Sequence, residues 1–192
     1  MGSRLRISTQ FIGGLRMFEY KLKIPKARVN VLIGKEGRDK KRIEEELNVK
    51  IEIKGNEITI KGEDSLNSWT AQRIVKAIAR GFSPQVALLL KNENYVFDLL
   101  DIKDWVGRSK KALVRLKGRV IGREGKAKKT IEEMCNVHIS IYGKTIAIIG
   151  KAYNVDLARK AIVRLLEGAK HSTVYRMLEK NRRKLKMSDL SW

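Results

Sequence analysis

Two short stretches carry residues whose types and spacing could do chemistry: Gly34-Lys35-Glu36-Gly37 and Gly122-Arg123-Glu124-Gly125. Each follows an apolar pair, Leu32-Ile33 or Val120-Ile121, and leads into a basic segment that reads as the start of a helix. Glycine at both corners removes side chains, so backbone amides can approach a chain of phosphates while the positive end of the next helix faces it. Isolated tight turns would not need a flanking basic helix in duplicate. A nucleotide-binding P-loop does not fit: Ala127 follows Lys126 where Ser or Thr is needed, the glycine spacing differs, and a helix precedes the loop.

Bond-breaking chemistry finds little support. His138 and His171 lack a His-x-x-x-His spacing or a Cys pair, so no metal site is expected. Asp98, Asp101 and Asp104 form the one carboxylate cluster. On a strand entering a helix, Asp98 and Asp101 would point to opposite faces, which disfavours a two-metal centre, and Asp104 is expected to cap a helix. No catalytic residue, metal or cofactor is assigned. Cys135 lies in an apolar helical pattern and is expected to be a buried thiol.

The elements that must position the loops come in two copies. Residues 33–62 match residues 121–150 without a gap at an offset of 88, with 17 of 30 pairs identical. Helical spacing of Ile43 with Leu47, and of Ile131 with Met134 and Cys135, predicts helices over 38–47 and 126–135. Asn48 and Asn136 should end them as left-handed caps. Val49, Ile51 and Ile53 then alternate, as do Val137, Ile139 and Ile141, and turns at Gly55-Asn56 and Gly143-Lys144 lead into second alternating runs. A closing helix follows, with Leu66, Trp69, Ile74 and Ile78 assigned to one face in the first copy. In the second, Val155, Ala158, Ile162, Leu165 and Leu166 take that place. Phe18 to Ile24 and Tyr95 to Asp101 are the expected first strands.

The reading therefore gives an α+β chain: a loose tail over 1–16, one domain over 17–81, a packed helical linker over 82–94, a second domain over 95–168, and a basic helix and tail over 169–192. Ser83 and Pro84 look like the N-cap and first position of the linker helix. In the C-terminal segment, Val174, Met177 and Leu178 should face inward and Arg176, Lys180, Arg182, Arg183 and Lys184 outward. That helix either docks on the second domain or binds a partner.

Forty-two Lys and Arg against 21 Asp and Glu give a net charge of +21, which favours a polyanionic partner. No spanning apolar stretch or signal-peptide core is present, so no membrane association is expected, and the single cysteine fits a reducing cytoplasm. Residues 17–81 carry 15 basic and 10 acidic side chains, and residues 82–168 carry 17 and 9. The second copy is accordingly expected to dominate affinity for a polyanion. Glu36 and Glu124 should point away from phosphate or meet an exposed base edge.

Both copies resemble the KH family, whose signature is an apolar-Ile-Gly-x-x-Gly loop between two helices with Ile near the middle of the second. Ile33 with Ile43, and Ile121 with Ile131, supply every element. The resemblance implies two tandem type I KH domains, each a three-stranded antiparallel sheet packed by helices on one face. In that family the loop clamps the backbone of about four single-stranded nucleotides while the bases lie on an apolar groove. The groove floors implied are Ile33, Ile43 and Ile51, and Ile121, Ile131 and Ile139. The RNA-binding set implied is Ile33, Gly34, Lys35, Gly37, Arg38, Lys41 and Ile51 in the first copy. In the second it is Arg119, Ile121, Gly122, Arg123, Gly125, Lys126, Lys129 and Ile139.

The two loops and the segment His171-Ser172-Thr173-Val174-Tyr175 are similar to archaeal members of the partner-of-Nob, Dim-type, family of small-subunit assembly factors. The resemblance implies a monomeric, non-catalytic protein that binds near the 3′ end of small-subunit ribosomal RNA and positions it for processing enzymes. Its implied protein partners are the Nob-type endonuclease, the ribosomal RNA dimethyltransferase or a translation initiation factor. A general RNA-binding adaptor in RNA degradation or translation initiation shares the same residues and stands as the alternative.

Overall fold

The computed structural model describes residues 6–12 and 15–189, with side-chain surroundings described for 17–182. The chain divides into two compact units, residues 1–91 and 92–192.

The first unit begins with strands β1 (Arg6–Ile12) and β2 (Leu15–Lys23). Helix α1 (Lys26–Ile33) runs into the first glycine loop and α2 (Arg38–Leu47) leaves it. Hairpin strands β3 (Val49–Lys54) and β4 (Glu57–Gly62) and helix α3 (Ser65–Ala79) complete it. The sheet order is β1-β2-β4-β3, all antiparallel, so β3 is an outer strand. The three-stranded sheet expected here carries a fourth strand, because residues 6–12, assigned to a loose tail, pair with β2 from Arg6↔Lys21 to Ile12↔Leu15. Tyr20, Leu22, Ile51, Ile58 and Ile60 from the strands, Leu32, Ile43 and Leu47 from α1 and α2, and Ile74, Val75 and Ile78 from α3 are buried. Helix α4 (Pro84–Ala87) and a 3-10 turn over Leu88–Lys91 pack beside α3, and Ser83 caps α4 as expected.

Two side chains of α3 contradict the sequence reading. Leu66 is 56% and Trp69 45% exposed. At about 3.6 residues per turn, Trp69 lies nearly opposite Ile74 and Ile78, so the four never shared a face. The buried stripe runs through Ala71, Ile74, Val75 and Ile78, and Trp69 instead stacks under the Arg73 guanidinium, 4.5 Å from the ring centre.

The second unit repeats the plan with strand β5 (Tyr95–Asp101), a short helix α5 (Lys103–Val106), α6 (Lys110–Ile121), the second glycine loop and α7 (Lys126–Cys135). Strands β6 (His138–Tyr142) and β7 (Thr145–Lys151) and helix α8 (Ala152–Leu166) follow. The antiparallel order is β5-β7-β6, so β6 is an outer strand. Val155, Ala158, Ile162, Leu165 and Leu166 are buried together against Leu116, Val120, Ile131 and Cys135.

A last helix, α9 (His171–Asp189), lies against α7 and α8. Val174 and Leu178 are fully buried in the core of the second unit, which decides for docking of this helix on its own domain. Arg176, Lys180 and Arg182 face outward, while the side chains of Arg183 and Lys184 fall outside the described residues. Within the described residues no helix is long and apolar enough to cross a membrane.

Candidate nucleic-acid interface

The two glycine loops are near copies in backbone. Gly34 sits at φ 72°, ψ 178° and Gly122 at φ 75°, ψ 173°, a region open essentially to glycine alone. Gly37 and Gly125 are left-handed, at φ 77° and 76°. Between them Glu36 and Glu124 also take positive φ, 54° and 52°, so each loop stores strain at a non-glycine residue. The two glycines of a loop serve different ends. A Cβ on Gly122 would lie 2.6 Å from the Ala127 Cβ and 2.7 Å from its backbone nitrogen, whereas one on Gly125 would meet nothing within 4 Å. The first glycine lets the helices close; the second leaves open space outside the loop.

Helices α2 and α7 start at Gly37 and Gly125 with no side-chain cap. The first amide of each, Arg38 N–H or Lys126 N–H, donates back to the Lys35 or Arg123 carbonyl, and what the helix start offers a phosphate is the positive end of its dipole. Exposed around these helix starts are Lys35, Arg38 and Lys41 in the first unit and Arg123, Lys126 and Lys129 in the second. Lys126 lies 3.7 Å from Glu124 and Lys129 3.8 Å from Glu133, both loose pairs on exposed side chains and easily given up to a polyanion. The loops differ at one point: a Cβ on Gly34 would meet the Asp39 carboxylate, where the second unit has Ala127. The first loop thus carries an extra negative charge beside its anion-facing helix end, and the second does not.

The implied groove floors are only partly as expected. Ile33 and Ile121 are part-exposed beside the loops, but Ile43, Ile51, Ile131 and Ile139 are at most 4% exposed and belong to the cores. Ile51 and Ile139 point their side chains inward because the helix-facing side of each strand is the buried one. What they offer the groove is their backbone at the sheet edge.

Arg119 has a different task from the one implied. Its Nε donates to the Leu165 carbonyl at 3.0 Å and its Nη2 to that of Ala169 at 2.7 Å, while His171 Nε2 lies 2.8 Å from the Arg119 carbonyl. It straps α6 to the end of α8 and the start of α9. Arg28 does the same in the first unit, donating to the carbonyls of Ile78 and Phe82. Neither strap was visible in the sequence, since the carbonyls they satisfy are about 50 residues away.

The reading also passed over Gly118. It lies in the middle of α6, exposed, with nothing within 4 Å of where a Cβ would stand, one turn from Val114, which is 70% exposed, and from Arg115. Glycine inside a helix costs about 1 kcal/mol relative to alanine. That cost was the available signal, and no packing contact of the described residues accounts for it.

The other candidates resolve into structural roles. Asp98 pairs with Arg159 at 2.6 Å. Asp101 accepts from the Lys103 amide at 3.1 Å, so the capping expected of Asp104 falls to Asp101 instead. Among the described residues no three His, Cys, Asp or Glu are placed to hold a metal ion. Cys135 is buried, which pushes its thiol up to about 12.

Comparison with known proteins agrees with this geometry. Residues 19–77 match the KH domain model, and residues 96–183 match a model described as a eukaryotic type KH domain, type I. A KH domain-containing protein of Methanocaldococcus jannaschii is 48% identical over 170 residues, covering 86% of this chain and 74% of that one. The pre-rRNA-processing protein PNO1 of Chaetomium thermophilum is 32% identical over 140 residues, and the alignment spans 69% of this chain but only 53% of PNO1. A Dim2p from Pyrococcus horikoshii, solved in complex with initiation factor 2α and ribosomal RNA, is 42% identical with a TM-score of 0.81, covering 88% of this chain and 96% of that one. A protein of unknown function from Aeropyrum pernix is 34% identical with a TM-score of 0.83, over 89% and 94% of the two chains. The chain belongs to the family of tandem KH-domain proteins that includes archaeal Dim2p and eukaryotic PNO1.

Proposed function

We propose that this protein is a single-stranded RNA-binding factor of small-subunit assembly, holding the 3′-end region of 16S ribosomal RNA in register for the enzymes that process it. The observation that carries this is the pair of intact glycine loops, each with an uncapped helix start and a ring of exposed cations, in a chain related to a Dim2p that has been solved with ribosomal RNA. The RNA backbone would run over Gly34, Lys35 and Gly37 with Arg38 and Lys41, and over Gly122, Arg123 and Gly125 with Lys126 and Lys129. The second loop would bind more strongly, because it lacks the Asp39 carboxylate and sits in the more basic unit. The protein acts by placement and needs no catalytic group of its own.

As protein partners we propose the Nob-type endonuclease, the ribosomal RNA dimethyltransferase or a translation initiation factor, the last supported by the company kept by the Pyrococcus relative. The test is titration of one sequence as single-stranded RNA and as RNA duplex at fixed salt. Single strands should bind at least about tenfold tighter, because the loops address a flexible backbone and splayed bases. Equal binding of duplex would contradict the proposal.

A further inference from the structure

Each outer strand has a second partner besides its sheet. The Ile51 N–H turns away from β4 and donates to Oε1 of Glu44 on α2 at 2.7 Å, and the Ile139 N–H donates to Oε1 of Glu132 on α7, also at 2.7 Å. The same glutamates hold lysines one helical turn earlier: Lys40 Nζ lies 3.3 Å from Glu44 and Lys128 Nζ 3.0 Å from Glu132. Lys40, Glu44 and Ile51 correspond to Lys128, Glu132 and Ile139 at the repeat offset of 88. The glutamate side chains are 20% and 22% exposed, so each spans the cleft implied between the helix and the sheet edge and stays within reach of a ligand.

Tying the helix to the strand does not by itself call for a carboxylate. A glutamine carbonyl would accept the same amide without repelling the phosphates that the neighbouring loop is shaped to hold. A negative group placed twice in such a cleft makes sense if it accepts from donors on the base. A carboxylate has about four acceptor sites, so after the amide and the lysine about two remain. In an antiparallel strand the carbonyl of a residue lies on the same side as its N–H, which adds the Ile51 or Ile139 oxygen as a further acceptor nearby. The cleft therefore offers adjacent acceptors flanked by one ammonium donor. Guanine presents the complement: O6 accepts, while N1–H and N2–H2 donate side by side. Cytosine and adenine place a ring-nitrogen lone pair beside their amino group, against the carboxylate, and uracil has a single donor between two acceptors.

We propose that each KH groove reads one guanine, with Glu44 and Glu132 as the specificity-determining residues and Lys40 and Lys128 as their partners on O6. This rests on the RNA-binding reading above.

Fluorescence anisotropy of the full chain at fixed salt, against adenosine dodecamers holding zero or one guanosine or one inosine, tests it. One guanosine should tighten binding about tenfold, the size expected of a good bidentate base contact, and inosine, which lacks the N2 amino group, should recover only part of that. The Glu44→Gln, Glu132→Gln double variant keeps an acceptor for both strand amides. It should melt within a few degrees of the parent and bind all dodecamers alike. Equal binding of all dodecamers by the parent, or a guanine preference that survives in the double variant, would overturn the proposal while leaving RNA binding intact. Failure of every dodecamer to bind would remove the RNA-binding reading and the proposal with it.

Discussion

Alanine at the two glycines of the second loop separates what the loop owes to folding from what it owes to its ligand. At position 125 alanine meets no atom within 4 Å and must adopt φ 76°, ψ 6°, a left-handed conformation that costs about 1–2 kcal/mol. At position 122 it must adopt φ 75°, ψ 173°, worth about 1–3 kcal/mol of strain. Its Cβ also lands 2.6 Å from that of Ala127 and 2.7 Å from a helix backbone nitrogen, and such overpacking adds about 1–3 kcal/mol. Taking the middle of each range, a unit of this size should lose roughly 8 °C in melting temperature for Gly125→Ala and roughly 20 °C for Gly122→Ala. Scanning calorimetry of the full chain reads both. Gly34→Ala should likewise cost more than Gly125→Ala, because its Cβ would lie 2.8 Å from the Asp39 Cβ, which no side-chain rotation moves away. Equal losses at 122 and 125 would refute the assignment of closure to the first glycine and of open access to the second.

Replacing Lys35 and Glu36 with Asp and Gly should weaken RNA binding less than the same replacement of Arg123 and Glu124, as read by anisotropy; equal losses, or a larger loss in the first unit, would sink the ranking of the loops. Arg119→Ala removes charge-assisted hydrogen bonds to the Leu165 and Ala169 carbonyls and should cost about 2–3 kcal/mol in urea unfolding, with RNA affinity at low denaturant changed less than about threefold. A large affinity loss without destabilisation would return Arg119 to the RNA surface. With its thiol pushed up to about 12, Cys135 stays protonated at pH 8, so iodoacetamide should label the native protein far more slowly than the urea-unfolded chain. Comparable rates would show that α7 is not packed as described.

The glycine loops, the helices over 38–47 and 126–135 and their Asn caps were legible because each is a local pattern. Helical periodicity, a left-handed Asn and the following alternation all agree, and Asn48 and Asn136 do sit at φ 48° and 51°. Where the reading went astray, the deciding contact was distant. Residues 6–12 look like a polar tail until β2 offers an edge for them to pair with. Trp69 was sent inward on hydrophobicity alone, although its angular position puts it outside. Ile51 and Ile139 were placed on the groove floor because the KH resemblance implies it, while strand alternation turns their side chains to the core. Arg119 looked like one more cation in a basic cluster, and only the return of α8 and α9 against α6 shows which carbonyls it satisfies.

The central claim, that this chain grips the 3′ end of small-subunit ribosomal RNA chiefly through its second loop, is tested most directly by one titration. Short single strands of that 3′ end and scrambled strands of equal composition are compared at the same series of salt concentrations, with the protein and with its Gly125→Asp variant. The native 3′ end should bind tighter than the scrambles at every salt concentration, and Gly125→Asp, whose Cβ meets nothing within 4 Å and whose carboxylate adds negative charge to the loop, should abolish that preference. Equal binding of all strands, separated only by a steep common salt slope, would contradict the claim and leave a basic protein that holds RNA by charge alone.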